Sequence, residues 1–187
     1  PRLVTSGIWR PVYIKAWSDS RINDVFIEQK QVNASKAVIA GHVELNADKE
    51  IAGATVTVTD EATGKVLGKQ QVDLKKGANQ VTVNFVLTKP KLWWSNGLGE
   101  PYLYRFRTDV TANNEILDSK TEKVGIRSLK VVRQPDKDGH TFYIELNGRP
   151  VFAKGANYIP CDNFLPRVTP DIYKKTVLDA ANANMNM

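Results

Sequence analysis

Seven short runs of alternating apolar and polar residues fill residues 22–128 of this 187-residue chain. In NQVTVNFVLT, Val81, Val83, Phe85 and Leu87 share one face, and Thr82, Asn84 and Val86 lie on the other. A period of two is that of a β-strand with one buried face. The other runs are DVFIEQKQV, KAVIAGHVELN, GATVTVTD, KVLGKQQVDL, PYLYRFRTDV and EILDSKTEKVGI. In GATVTVTD, the pattern places Val56 and Val58 on one face and the threonines 55, 57 and 59 on the other.

Short polar turns separate these runs, and Gly64 in ATGK supplies the positive φ that a tight hairpin needs. Seven short antiparallel strands with turns at such intervals are typical of an immunoglobulin-like β-sandwich. Cys161 is the only cysteine, so no disulfide can join the sheets within the chain and aliphatic packing must hold them together. The fold class predicted for residues 22–128 is therefore mainly β.

Composition excludes several partners and sites. The hydrophobic fraction is 42%, but no stretch approaches the ~20 apolar residues of a membrane span. The net charge of +6 is spread along the chain without a basic run, which argues against a nucleic-acid partner. One cysteine and two histidines, His42 and His140, argue against a metal site, and no glycine-rich phosphate loop appears. We expect no cofactor.

The pattern changes after residue 128. Phe142, Ile144 and Leu146 alternate inward, and Asn147-Gly148 predicts a type I′ hairpin turn. Val151 to Gly155 follows as a strand, and the irregular segment GANYIPCDNFLPR comes next. Thr169 and Pro170 are typical of the N-cap and first residue of a helix, with Asp171 in its first turn. Its apolar face would hold Ile172, Tyr173, Thr176, Val177, Ala180 and Ala181.

A strand, a loop and an amphipathic helix form the first unit of an α/β architecture, which cannot be complete by itself. Leu3 to Ile14 is predicted as strand and turn, without an initiating Met or a signal-peptide pattern before it. We therefore expect both ends of the chain to be cuts through a longer protein.

Three carboxylates lie in settings that could support chemistry: Glu100, Glu145 and Asp162. Glycosidases need two carboxylates on opposite sides of the scissile bond. Asp162 is the best placed of the three, but the sequence offers no partner for it. No serine stands at a suggestive spacing from a histidine, and Cys161 is predicted to be passive. No catalytic residue is assigned.

The four tryptophans are Trp9, Trp17, Trp93 and Trp94. Exposed indoles would form a stacking platform for sugar rings, whereas buried ones would brace the fold. The segment LWWSNGLGEPY is bounded by Pro90 and Pro101, and its glycines permit a compact turn. We expect Trp93 and Trp94 to pack against one end of the sandwich or against the hairpin.

Four segments in order carry a resemblance to a known family: GIWRPVYI at 7–14, LWWSNGLGEPYLY at 92–104, GIRSL at 125–129 and FYIELNGRPVFAKGANYIPCDNF at 142–164. Together they resemble the β-mannosidases of glycoside hydrolase family two, nearly end to end. NGRPVFAKGAN is shared with the β-galactosidases and β-glucuronidases of that family. The elements WWSNGLG, GANYIP and DAANANMNM are similar to the mannosidases. Tyr158, Ser95 and Cys161 depart from the usual residues.

The resemblance implies three domains. Residues 1–21 would be the last strand of a sugar-binding jelly roll, and residues 22–128 an immunoglobulin-like spacer. Residues 129–187 would begin a catalytic TIM barrel with its opening hairpin, first strand and first helix. The enzyme would be a retaining hydrolase of β-mannosides or related β-glycosides. Its two catalytic glutamates would lie beyond Met187, so the chain alone should be inactive.

Active sites of TIM barrels lie at the carboxyl ends of the strands. The loop after Val151–Gly155 would therefore line the sugar pocket with Asn157, Tyr158 and Asp162. Two alternatives stay open: the loop could merely plug the barrel, and the chain could be a non-catalytic carbohydrate-binding or adhesion module. The expected partner is a carbohydrate, with a secreted or periplasmic location favoured and a homodimeric full-length protein possible.

Overall fold

Two antiparallel sheets face each other across the core of the protein in the computed structural model, which describes residues 6–187. The smaller sheet pairs, in order, β1 (Ser20–Val32), β2 (Lys36–Ala47) and β5 (Gly77–Thr88). The larger sheet pairs, in order, β4 (Lys65–Leu74), β3 (Ile51–Asp60), β6 (Tyr104–Ala112) and β7 (Glu115–Val124). All seven predicted strands are confirmed.

The fourth strand distinguishes this sandwich from a constant-type immunoglobulin domain. In that type the first, second, fourth and fifth strands share a sheet, whereas here β4 pairs with β3. Gly68 of β4 lies close to β5, because a Cβ added there would come within 2.9 Å of the Asn84 carbonyl oxygen. The glycine thus lets the two sheets approach along this edge.

The core is aliphatic with two aromatic rings at its centre. Phe85 and Phe106 meet edge to face with their ring centroids 5.5 Å apart. The side chains of β5 alternate as predicted, with Val81, Val83, Phe85 and Leu87 buried. Cys161 is exposed and unpaired by any disulfide. Apolar burial therefore holds the sheets together, as expected.

One threonine was assigned to the wrong face. Thr59 is buried, because the pairing of β3 with β4 shifts register between Val58 and Thr59. Such an irregularity turns the following side chain toward the other face. The carboxylate of the next residue, Asp60, accepts hydrogen bonds from Thr63 Oγ1 (2.9 Å) and Ala62 N (3.2 Å). Gly64 then closes the turn at a φ of 69°, as predicted.

A separate three-stranded sheet follows the sandwich and consists of β8 (Leu129–Val132), β11 (Tyr143–Leu146) and β12 (Arg149–Val151). Between them, β9 (Pro135–Asp136) and β10 (Gly139–His140) form a short ribbon. Asn147 and Gly148 have φ values of 52° and 79°, which confirms the type I′ turn. Leu146 is buried, but the inward placement of Phe142 was wrong: it precedes β11 and is exposed.

The strand predicted at Val151–Gly155 was wrong for residues 152–155, which form no strand. β12 ends at Val151, and the backbone of Lys154 bonds instead to the last residues described. Its carbonyl accepts from Asn186 N (2.8 Å) and Met187 N (3.1 Å). These contacts are too few to form a ladder that would extend β12 to Gly155.

A 3₁₀ turn at Leu165–Arg167 leads to the helix α1 (Pro170–Asn182). Thr169 is its N-cap residue, as predicted, although its side chain makes no capping hydrogen bond. The predicted apolar face is only partly covered, since Ile172, Tyr173 and Val177 are exposed. No helix within residues 6–187 is long and apolar enough to cross a membrane.

The amino-terminal segment runs without strand pairing from Ser6 to Asp19. Part of the strand and turn expected at Leu3–Ile14 falls on residues 1–5, which lie outside the described residues. The assignment of residues 1–21 to the last strand of another domain stays a prediction.

We expect Phe106→Ala to lower the free energy of unfolding by about 3–5 kcal/mol, because the ring is completely buried between the sheets. Phe26→Ala is the matched control, since Phe26 is 61% exposed on the outer face of the smaller sheet. It should change stability by no more than about 0.5 kcal/mol. Denaturant unfolding measures both, and equal losses would contradict this description of the core.

Candidate functional site

Residues 92–100, here called the tryptophan loop, lie between β5 and β6 of the sandwich. This loop contacts the structures that follow the sandwich in the chain. The Trp93 backbone N–H donates to the Ile126 carbonyl (2.8 Å). The Trp93 ring packs on Gly125, where an added Cβ would come within 2.8 Å of it, and the Arg127 guanidinium lies 5.1 Å from its centroid. Trp93 thus packs on the segment by which the chain leaves the sandwich.

Trp94 contacts the hairpin, which is the second packing partner predicted from the sequence. Its ring packs on Gly99, where an added Cβ would lie 2.8 Å away. The Arg149 guanidinium of β12 is 5.2 Å from its centroid. Both indoles are half-buried between the sandwich end and the hairpin. The expectation that Trp93 and Trp94 pack against these elements is confirmed.

Asn147 at the hairpin turn connects the same pieces by hydrogen bonds. Its Nδ2 donates to the Trp93 carbonyl (2.9 Å), and its Oδ1 accepts from Ser128 N (2.9 Å). Its backbone N–H donates to the Ser128 carbonyl (2.9 Å). Sequence reasoning found Asn147 only as a turn residue, because a turn signature is local and the partners are 19 and 54 residues away.

The tryptophan loop also holds the end of α1. Asn96 Nδ2 donates to the carbonyls of Ala181 (3.2 Å) and Met185 (2.9 Å). The last carbonyls of a helix lack partners within it, so a side-chain amide can cap them. One loop therefore positions both the hairpin and the helix on either side of the segment that contains Asn157, Tyr158 and Asp162.

Asp162 is held within its own segment. Its Oδ1 accepts from Phe164 N (2.7 Å) and Arg167 Nη2 (2.8 Å), and its Oδ2 accepts from Arg167 Nε (2.9 Å). This is a two-point guanidinium–carboxylate pair. The Arg167 hydrogen bond, followed by that from Phe164, lowers the pKa of Asp162 below its ordinary value. The pair fixes residues 162–167 as a turn.

Sequence reasoning missed Arg167. The available signal was a basic residue five positions after the acid in a proline-bounded segment. Arg167 also covers the Phe164 ring, with its guanidinium carbon 4.6 Å from the centroid. It is therefore the positioning residue of this turn.

Asn157 and Tyr158 lie earlier in the same segment, and both are exposed. The neighbouring Cys161 side chain raises the pKa of the Tyr158 hydroxyl. Among the described residues, no side-chain hydrogen bond joins Asn157, Tyr158 and Asp162 to one another. The structure thus places the three predicted residues in one exposed segment without assembling them into a cluster.

The other carboxylates do not join this segment. Glu100 is exposed in the tryptophan loop, where its carbonyl accepts from Trp94 N (3.0 Å), and Glu145 is half-buried in β11. Within residues 6–187, no group of three His, Cys, Asp or Glu side chains could hold a metal ion.

A pocket of about 320 Å³ adjoins the Asp162 turn. The amino-terminal residues 6–9 form one side of it, and residues 163–166 form the other. Its apolar lining comes from Ile8, Trp9, Phe164, Leu165 and Pro166, with Ser6 and Asn163 supplying polar groups. Two segments distant in sequence therefore share one concavity.

The sandwich itself decides the family. Residues 20–127 match the profile of "Glycosyl hydrolases family 2". The chain belongs to this family. Its match covers β1 to β7 and ends at Arg127, which packs on Trp93.

Curated relatives extend the similarity over both flanks of the sandwich. The chain is 32% identical over 178 residues to "Beta-mannosidase B" of Aspergillus flavus and 33% identical over 178 residues to that of Aspergillus niger. Each alignment covers 95% of this chain but 21% of the relative, so the chain spans about a fifth of their length.

Solved structures are also similar to the chain. The beta-D-mannosidase of Dictyoglomus thermophilum superposes with a TM-score of 0.80 at 29% identity, covering 92% of this chain and 21% of that one. The exo-chitosanase of Amycolatopsis orientalis superposes with a TM-score of 0.74 at 21% identity, covering 91% and 20%. The latter likeness is one of fold.

We expect Asn147→Ala to cost about 1–3 kcal/mol more than Asn113→Ala, because it also removes the hydrogen bonds to Trp93 and Ser128. Asn113 is the matched control: its φ of 51° carries the same left-handed backbone cost at the turn between β6 and β7. Equilibrium unfolding gives the difference, and equal costs would show that Asn147 is a turn residue only.

Arg167→Gln should raise the pKa of Asp162 toward its ordinary value, because the largest cause of its depression is removed. A depressed pKa means that the pair holds above the unfolded pKa and is lost as the pH falls through the folded one. Carboxyl chemical shifts followed by NMR measure the titration. Arg133→Gln, at an exposed arginine outside the pair, should leave the Asp162 titration unchanged.

Proposed function

We propose that this chain is part of a retaining glycoside hydrolase that cleaves β-mannosides. The observation that carries the proposal is the similarity over 95% of the chain to proteins named Beta-mannosidase B. The structural likeness to a beta-D-mannosidase supports it independently. Because the chain spans about a fifth of these relatives, the activity would belong to a longer protein.

In this proposal the sandwich is a spacer between two domains. The tryptophan loop and Asn147 support that role, since both attach the following hairpin to the sandwich through hydrogen bonds and packed rings. A rigid attachment would keep the substrate segment in a fixed place relative to the sandwich. The catalytic carboxylates are not assigned to any residue of this chain.

Residues 1–21 would be the last strand of a sugar-binding jelly roll. The described part, residues 6–21, presents large apolar side chains to solvent, including Ile8, Val12 and Ile14, the last 97% exposed. Contiguous exposed apolar side chains are typical of a surface that another element covers. A further sheet packed on this segment would bury them.

Residues 129–187 would begin a TIM barrel. The contact of Lys154 with Asn186 and Met187 supports this, because it brings the chain after β12 beside the chain after α1. That juxtaposition is what a β-α-β crossover requires. Gly155 permits it, since a Cβ there would lie 2.5 Å from the Met187 carbonyl oxygen.

Asn157, Tyr158 and Asp162 would line the sugar pocket in the loop after β12, where the carboxyl end of the first barrel strand would lie. A carboxylate has about four acceptor positions. Asp162 uses three for Phe164 and Arg167, which leaves one for a sugar hydroxyl. Tyr158 would offer its exposed ring to the apolar face of a pyranose.

The test uses the full-length protein and aryl β-mannoside, β-galactoside and β-glucuronide substrates. We expect preferential turnover of the β-mannoside, with a β-anomer as the first-formed product by NMR. The 187-residue chain should give only the background rate with the same substrate. An α-anomer would disprove retention. Sugar binding without turnover by the full-length protein would favour the alternative, a non-catalytic carbohydrate-binding module.

Tyr158→Ala in the full-length protein should lower kcat/KM for the aryl β-mannoside at least tenfold, which equals about 1.4 kcal/mol of transition-state binding. Its melting temperature should not change, because the ring is exposed in the structure. Tyr143→Ala in β11 is the control and should keep wild-type kinetics. Wild-type kinetics in the Tyr158 variant would leave the segment with a packing role.

Asp162→Asn should also lower kcat/KM for the aryl β-mannoside. It retains the side-chain volume but loses the charge paired with Arg167. Kinetics and Arg167 side-chain NMR signals, measured together, separate lost sugar contact from a disordered turn. The proposed carbohydrate partner, a secreted location and a homodimer of the full-length protein follow from the family resemblance and remain to be tested in the same preparation.

A further inference from the structure

Gln29 of β1 is a polar side chain at a position where the strand pattern calls for an apolar one. Val25 is buried and Ile27 packs against the core, so the next residue on that face is Gln29. Its register partner in β2 is Ile39, which is completely buried. A polar group that points toward the core needs hydrogen-bond partners, because it loses those that water would provide. Gln29 finds its partners outside its own sheet.

Both ends of the Gln29 amide bind the backbone by which the chain leaves the sandwich. Its Nε2 donates to the Gly125 carbonyl (3.1 Å), and its Oε1 accepts from Arg127 N (2.9 Å). These backbone groups are 96 and 98 residues away in the sequence. They lie between β7, which ends at Val124, and β8, which begins at Leu129. The amide therefore takes the place that a peptide group of a neighbouring strand would occupy in a ladder.

The exit segment of residues 125–127, here called the linker, is also held from a second direction. The Ile126 carbonyl accepts from Trp93 N (2.8 Å), and the Ile126 side chain is completely buried. The pairing of β1 with β2 shifts register directly after Gln29, between it and Gln31. Such a bulge bends the strand and re-aims its side chains. The linker is thus clamped between the edge strand β1 and the tryptophan loop.

Paired strands connect the linker to the candidate sugar residues. Directly after the linker, β8 pairs with β11, and β11 pairs with β12. The chain after β12 contains Asn157, Tyr158 and Asp162. A displacement of about 1 Å, caused by a change far from the reacting groups, can slow an enzyme by about 10²-fold. A small movement of the linker would therefore be felt where these three residues lie.

We propose that Gln29 is a positioning residue of the hydrolase, which fixes the linker and thereby sets where the candidate sugar residues lie. The inference rests on the proposed function, because it concerns binding of the proposed β-mannoside. Gln29 would not touch the sugar. The displaced residues would supply sugar contacts, whereas the catalytic carboxylates are not assigned to this chain. Loss of the Gln29 amide should therefore weaken substrate binding more than it slows the chemical step.

The experiment uses Gln29→Met in the full-length protein. Methionine keeps the length of the side chain but has no amide to bind the linker. We expect KM for an aryl β-mannoside to rise by about tenfold, with kcat changed by less than about threefold. Gln29→Asn should have the same effect, because an amide one methylene shorter does not reach both backbone groups. Gln31→Met is the matched control: it lies exposed in the same strand and should keep wild-type kinetics.

Hydrogen–deuterium exchange of the same proteins, followed by mass spectrometry, reports the linker directly. In the Gln29→Met variant the linker should exchange faster, because Arg127 N loses its acceptor, while β5 and β6 keep wild-type protection. Faster exchange with an unchanged KM would overturn the inference, since Gln29 would then only stabilise the fold. A raised KM without faster exchange would overturn it too, because the effect would not pass through the linker.

Wild-type turnover separates this inference from the proposed function. If the wild-type protein does not turn over the aryl β-mannoside, the proposed function fails, and the inference fails with it. Normal wild-type turnover with wild-type KM in both Gln29 variants rejects only the positioning role.

Discussion

The burial of one face of each sheet against the other is the interaction on which the rest of the structure depends. Phe85 from β5 and Phe106 from β6 meet at its centre, and no disulfide reinforces them. Because side chains in a strand alternate with a period of two, a slip of one residue would turn the buried set of β5 toward solvent. The apolar pattern thus fixes the register of the strands, and the register fixes where the chain leaves the sandwich.

That exit point determines the position of everything after it. Gly125 and Ile126 follow β7, and Trp93 packs on the first while bonding to the backbone of the second. Asn147 then ties the hairpin to Trp93, and Asn96 ties the helix to the same loop. The segment with the candidate sugar residues is therefore anchored at both ends by a loop that belongs to the sandwich.

Within that segment, the Asp162 carboxylate has two roles. It stabilises the turn by accepting hydrogen bonds from Phe164 N and the Arg167 guanidinium. In the proposed function it also binds a sugar hydroxyl. The two roles are compatible because a paired carboxylate keeps an acceptor position, and because the depressed pKa keeps the group charged.

The sequence by itself determined the seven strands, the turn at Gly64, the type I′ turn at Asn147 and the start of α1, because each depends on local periodicity or turn chemistry. It also predicted that Trp93 and Trp94 pack against the sandwich end or the hairpin. Tertiary structure decided the burial of Thr59, the pairing of Asp162 with Arg167 and the approach of residues 6–9 to residues 163–166 around one pocket. These features arise from a register shift, a bent loop and a contact between distant segments, which a local pattern does not encode.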